Sequence, residues 1–206
     1  MNNKDHWYDG LFYDTIIAPN QDTLFKHIKR LLQPGSMVID VGCGTGRFSF
    51  AVADRCGSVV GIDLSKRNID RAILSYQKEP LDNVSFRHTD VATILLEGKD
   101  HFDFAVMTYV IHEVDIEERV QLMQDLAKIA DTIIIGDYLV PRRSGFWDLL
   151  SELVEFAAGR DHYRNFKSYV ADGGIAVLAQ KAGCRIVSEI SNRPSTSHIA
   201  VLDCQH

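Results

Sequence analysis

One stretch limits the folds open to this chain more than any other: Val38-Ile39-Asp40-Val41-Gly42-Cys43-Gly44-Thr45-Gly46-Arg47-Phe48. Val38, Ile39 and Val41 make an apolar, β-branched run of the kind that forms a buried strand. Three glycines at alternate positions follow, and a helical pattern begins at Arg47. Strand, tight turn and helix in that order open an α/β sheet. The glycines strip side chains from the backbone where something must come close. The first amides of the new helix lack partners within it and point at the same place. The spacing is Gly-x-Gly-x-Gly, not the Gly-x-Gly-x-x-Gly of dinucleotide binders, and the acidic Asp40 lies just before it. A carboxylate there repels a pyrophosphate and suits a ligand with a positive amino group.

Strands and helices then alternate along the chain. Val59 to Ile62 reads as a second strand ending at Asp63. A carboxylate at that tip, about 20 residues beyond the loop, is placed to accept two hydrogen bonds from a ribose; a helix cap is the alternative. Lys66 to Gln77 has helical spacing and stops before Pro80, and Val84 to Arg87 is a third strand leading to Asp90-Val91. Asp90 can cap a helix over Val91 to Leu96. Phe102 to Met107 is nearly continuously apolar, as a central parallel strand should be, and opens into Thr108-Tyr109-Val110-Ile111-His112-Glu113-Val114. Glu117 to Ala130 is amphipathic, and Thr132 to Ile135 is a fifth strand ending in Gly136-Asp137-Tyr138. Cys184 to Ile190 and His198 to Leu202 read as two more strands, separated by the turn residues Asn192 to Ser195. So short a connection permits antiparallel pairing but not a crossover.

Asp40 to Gly46, followed in order by Asp63, Asp90 and Thr108 to Val114, resembles the motif series of the Rossmann-like (class I) S-adenosylmethionine-dependent methyltransferases. The resemblance spans nearly the whole chain. It implies a doubly wound, mostly parallel seven-stranded sheet with a C-terminal antiparallel hairpin and helices on both faces. It also implies S-adenosylmethionine as cofactor and S-adenosylhomocysteine as product. Asp40, Gly42, Gly44, Gly46, Asp63, Leu64, Asp90, Val91, Met107 and Thr108 are then the expected cofactor contacts. Among them Asp63 would hold the ribose hydroxyls, Asp90 the adenine amino group and the Val91 amide a ring nitrogen. Met107 and Thr108 would pass beside the methionine part and the transferred methyl. The Asn-Pro-Pro-Tyr version of the fourth motif is absent, which disfavours a DNA base or glutamine amide as acceptor.

The expected activity is in-line methyl transfer to a small-molecule acceptor. A protein or peptide methyltransferase and a non-catalytic adenosyl-ligand-binding module are the alternatives; an NAD(P)-dependent enzyme fits neither the glycine spacing nor Asp40. His112 is the candidate general base, with Glu113 behind it and loop ordering as the plain alternative. The aromatic start of the chain, within 1–34, offers Tyr8 and Tyr13 as parts of a lid or of a packed arm. Residues 141–173 read as a helical insertion with Gly145 to Ala158 as helix and Gly159 to Phe166 as a polar, aromatic loop. Tyr138, His162, Tyr163 and Arg164 are the candidate substrate contacts, with Arg160 or Arg164 facing an anion; a surface turn or a dimer contact would use the same residues. Ser168 to Lys181 is a further helix, broken near Gly173-Gly174.

At 206 residues the chain reads as one domain. A net charge of −6 argues against a broad nucleic-acid face, and no apolar run approaches a membrane span. Cys43, Cys56, Cys184 and Cys204 lie far apart without metal-ligand spacing. They read as reduced thiols of a cytoplasmic protein with no bound metal, Cys43 being a small space-filler rather than a nucleophile. Monomer and homodimer are both compatible with the sequence.

Overall fold

The computed structural model describes residues 18–78, 80–141, 156, 159–191 and 196–204. Among these, seven strands form one sheet: β1 (Met37–Val41), β2 (Ser58–Asp63), β3 (Val84–His88), β4 (Phe102–Thr108), β5 (Ala130–Tyr138), β6 (Arg185–Ser191) and β7 (Ser197–Asp203). Their order is β3-β2-β1-β4-β5-β7-β6. The first five strands run parallel, and the chain reverses only at the end, where β7 lies antiparallel to both β5 and β6. The order therefore turns back between β1 and β4, the place where open α/β sheets hold ligands beyond their strand ends.

The helices are α1 (Ala18–Leu31), α2 (Arg47–Val52), α3 (Lys66–Lys78), α4 (Val91–Glu97), α5 (Ile116–Ile129), α6 (Arg160–Ala171) and α7 (Gly174–Ala182). Alternate residues of each central strand face opposite ways, and each face has its own core. Val38, Val106 and Ile134 pack with Leu24, Ile28, Phe48 and Val52 of α1 and α2. Ile39, Ala105, Ile133 and Ile135 pack with Ile94, Met123, Leu126, Tyr169 and Leu178 of α4 to α7. The doubly wound architecture with its terminal hairpin is the one that the motif series implies. No helix among the described residues is long and apolar enough to cross a membrane.

Three readings change. First, β5 runs on through Gly136, Asp137 and Tyr138. The strand continues because β7 pairs with it to the end, Tyr138 opposite Ser197. Second, the segment from Arg160 to Phe166 is not a loop but the first half of α6. His162, Asn165, Phe166 and Tyr169 are its buried residues, spaced three and four apart as one helical face requires. Third, Cys184 and Cys204 form a disulfide, so only Cys43 and Cys56 are free thiols among the described residues. The two bonded cysteines flank the hairpin, one just before β6 and one just after β7, so strand pairing brings them together although the sequence does not.

Candidate active site

The glycine turn is built by three different constraints. The Gly42 and Cys43 amides both donate to the Ile62 carbonyl, at 2.8 and 2.9 Å, tying the turn to the end of β2. Gly42 has φ 71°, and a Cβ there would lie 2.5 Å from Cγ2 of Val110; the β4 loop presses directly on the turn. Gly44 has φ 56°, but a Cβ there would meet nothing within 4 Å. It is a left-handed residue facing open space, which only glycine adopts without strain. Its amide donates to Oδ2 of Asp63 at 2.8 Å, and Oδ1 of Asp63 accepts from the Ser65 amide at 2.7 Å.

Asp40 lies under this turn, 1 % exposed. Its Oδ2 accepts from the Ser49 hydroxyl of α2 at 2.6 Å, while Oδ1 is buried with no hydrogen-bond partner. Burial pushes the carboxyl up to about 7; the Ser49 bond opposes this and the Asp63 charge adds to it. The same burial, with the charges of Asp40 and Asp63, pushes the Cys43 thiol far above its ordinary range. A thiol so hard to ionise is a space-filler, not a nucleophile. Asp90 caps α4 by accepting from the Thr93 amide at 2.7 Å, and that bond holds its carboxyl below the ordinary value. Val91 is buried behind it, and Leu64 is 76 % exposed at the rim.

A second group of residues gathers where β4, β5 and β7 end. Met107 is fully buried in the core, and Thr108 pairs with Gly136. Tyr109 has φ 57°, a strained backbone for an aromatic residue. Its amide bonds the Gly136 carbonyl at 2.8 Å and its hydroxyl donates to Ser197 Oγ at 3.0 Å. The chain then turns so that His112, 2 % exposed, sets Nδ1 2.7 Å from Oδ1 of the fully buried Asp137. Asp137 also accepts from the His112 and Tyr138 amides, at 3.3 and 2.7 Å. A carboxylate takes the ring N–H, which assigns the proton of neutral His112 to Nδ1 and a lone pair to Nε2. Tyr138 and Phe166 pack edge-on against the imidazole, centroids at 4.8 and 6.2 Å.

The loop that carries His112 is latched to α6. Arg119 donates to the carbonyls of His112, Val114 and Asn165 and to Ser168 Oγ. Asn165 fills the gap, donating to the Glu113 carbonyl at 2.7 Å and to Asp115 Oδ1 at 2.8 Å. Three successive carbonyls are thereby bonded by side chains, so a loop without regular structure still has its buried polar groups satisfied.

Residues 38–131 match the family model described as a methyltransferase domain. Over this segment the chain is similar to methyltransferase domains. The chain is 28% identical over 139 residues to the O-antigen chain terminator bifunctional methyltransferase/kinase WbdD of Escherichia coli, covering 64% of this chain and 19% of that one. It is 28% identical over 138 residues to the ribosomal protein L11 methyltransferase of Thermotoga maritima, covering 65% and 48%. The chain thus spans about a fifth to about half the length of these two curated relatives. Among solved structures it is similar to the PH0226 protein of Pyrococcus horikoshii, with TM-score 0.71, 18% identity, and 97% and 98% of the two chains covered. It is also similar to the magnesium protoporphyrin IX methyltransferase of Synechocystis, described with bound SAM, with TM-score 0.65, 18% identity, and 96% and 86% covered. At such identity these structures establish the fold.

The domain places Asp40, Asp63 and Asp90 in succession on or just beyond three neighbouring strands, as the motif order implies. Tyr138 and His162 come to the His112 region; His162 Nδ1 and His112 Nε2 lie 3.7 and 3.9 Å from the same Glu113 Oε1. Tyr163 does not point there, its ring packing against Phe156 at 5.5 Å and under Lys167. Arg164 is 69 % exposed, with Asp115 and Asp161 3.7 and 3.9 Å away. Arg160 is exposed as well. An anion-facing role for either arginine has no support, because one turn of α6 carries them to the outer side. Tyr8 and Tyr13, and most of the helix expected over Gly145 to Ala158, lie outside the described residues. Ser49, Asp137, Arg119 and His198 acquire their importance only from the fold. Of these only Asp137 carried a sequence signal, its position at a strand tip.

Proposed function

We propose that the chain is an S-adenosylmethionine-dependent methyltransferase that passes a methyl group in line to a small-molecule acceptor. The buried, partnerless Oδ1 of Asp40 beneath an open glycine turn carries the reading. Leaving such an oxygen unbonded is costly, and an ammonium group at the turn is a donor of the right charge. In this reading the Gly44 and Asp63 edge takes the ribose, and Asp90 with the Val91 amide takes the adenine. Met107 and Thr108 flank the methionine chain.

When bound, the cofactor supplies a sulfonium with a good leaving group and an electrophilic methyl. The chain's own part is to hold nucleophile, carbon and sulfur on one axis and to keep water out. Tyr138 and Phe166 pack against the His112 ring and exclude water from it. The His112 Nε2 takes the acceptor's proton, and Asp137 steadies the imidazolium that results. The relatives' names give no choice of acceptor, since they include an rRNA methyltransferase, a ribosomal-protein methyltransferase and an O-antigen chain terminator. Titration calorimetry with S-adenosylhomocysteine tests the cofactor: saturable one-to-one binding is expected, and no heat of binding with the intact chain would overturn the proposal.

A further inference from the structure

Arg119 is a buried cation that the fold leaves without an anion. Only 3 % of it is exposed. Its bonds go to the carbonyls of Val114, His112 and Asn165, at 2.9, 3.3 and 2.7 Å, and to the Ser168 hydroxyl at 3.0 Å. Every partner is neutral, and none of these bonds uses Nη1. Among the described residues no carboxylate forms an ion pair with the guanidinium. A buried charge is ordinarily paired, because a counter-charge at contact offsets the loss of water. Here the Tyr169 ring lies 5.7 Å from Cζ. Burial weakens the hold of the guanidinium on its proton, and the charges of Asp172, Asp137 and Asp115 oppose this from beyond contact.

Between α5 and α7 lies a cavity that Arg119 lines together with Val120, Tyr169, Asp172, Val177 and Lys181. The space in it open to the centre of a water molecule is about 40 Å³. One water takes roughly 10–15 Å³ by that measure, so the cavity admits about three or four non-hydrogen groups. Lys181 stands at the rim, its side chain 53 % exposed, with Nζ 3.9 Å from Asp172 Oδ2. Lys181 and Asp172 thus answer each other, and Arg119 is the charge left over. A cation would add repulsion. A neutral molecule would leave the guanidinium as it is. A multiply charged oxyanion would exceed the one positive charge in excess and would waste the aliphatic walls. A single carboxylate on a short apolar tail meets both the charge and the walls, and its two oxygens suit the planar guanidinium fork.

We propose that this cavity binds a small aliphatic monocarboxylate, its carboxylate paired with Arg119 and its tail against Val120 and Val177, and that binding braces the loop carrying His112. The coupling follows from shared atoms. The guanidinium that meets the ligand also holds the His112 and Val114 carbonyls, and it reaches α6 through the Asn165 carbonyl and Ser168. A ligand that fixes the guanidinium therefore fixes the loop. The site lies among the helices and is independent of the methyltransferase reading.

The probes are sodium propionate and propionamide, which has nearly the same shape and no charge. Each is titrated into the intact protein at fixed ionic strength and followed by ¹H–¹⁵N NMR. Propionate is expected to give saturable shifts of the amides of residues 116–120 and 174–181. Propionamide should bind about tenfold more weakly, because the charge-assisted bond to Arg119 is lost. Val177→Phe fills the cavity and touches no bond of Arg119, so it should abolish the propionate shifts and leave the rest of the spectrum in place. Lys181→Glu, an exposed change that sets a negative charge at the rim, should weaken propionate about threefold and serves if Val177→Phe does not fold. Saturating propionate should slow amide hydrogen exchange of residues 112–115 about threefold or more. The proposal is overturned by equal affinity for the two probes, by the absence of saturable shifts, by propionate binding that neither variant weakens, or by unchanged exchange in the saturated protein.

Discussion

Asp40 shows how one buried carboxyl ties stability to pH. Ionising it in the folded chain costs on the order of 4 kcal/mol, from the rise of its carboxyl from 3.8 to about 7. Its stabilising contribution is whole below pH ~4, where folded and unfolded chains both hold the proton, and is lost as pH rises through about 7. Asp40→Asn keeps an acceptor for Ser49 but cannot ionise, so thermal unfolding of this variant should vary less with pH between about 4 and 7. An unchanged slope would refute the assignment. A bound ammonium would draw the proton off Asp40. Calorimetry at pH 6 in two buffers of different ionisation heat should therefore show proton release on S-adenosylhomocysteine binding in the parent and none in Asp40→Asn. Asp63→Ala should weaken the same binding by about 1–3 kcal/mol, since it removes both a ligand acceptor and the bond that holds the Gly44 amide.

Among the elements, the glycine turn separates packing from ligand access. Gly42→Ala drives a methyl into Val110 at positive φ, and should cost about 1–3 kcal/mol of stability by thermal or denaturant unfolding. Gly44→Ala meets open space, so it should cost about 1–2 kcal/mol from backbone strain alone while reducing cofactor affinity more than Gly42→Ala does per unit of stability lost. The latch from α5 to α6 is testable as an element too. Arg119→Ala leaves the His112 and Val114 carbonyls without their side-chain donor, while Asn165 keeps Ser168, and should speed amide hydrogen exchange across Arg160–Ala171 and residues 112–115, leaving β1 to β3 protected. The strands were readable to within a few residues because runs such as Phe102–Met107 have one conformational solution. The first half of α6 was not, because His162, Asn165 and Phe166 look polar or aromatic one by one. Only the latch to the Glu113 and His112 carbonyls explains why that face is buried.

At the scale of the molecule, the placement of Asp40, Asp63 and Asp90 was legible because they occur in order along successive parallel strands. The surroundings of Asp137 were not, because they depend on the register of an antiparallel strand: His198 was visible as the start of a strand, but nothing in the sequence set it opposite Asp137. The cysteines were misread for the same reason, since only hairpin pairing joins Cys184 to Cys204. A maleimide applied to the denatured, unreduced protein should mark Cys43 and Cys56 alone; labelling of all four would remove the crosslink. That crosslink closes the hairpin's open end and should stabilise it by about 3 kcal/mol. The reversed last strand also imposes a timetable on synthesis. The parallel strands β1 to β5 are complete once Tyr138 has left the ribosome, whereas the sheet is closed only when β7 lies down beside β5. An unfinished chain would then expose the edge of β5 that β7 covers.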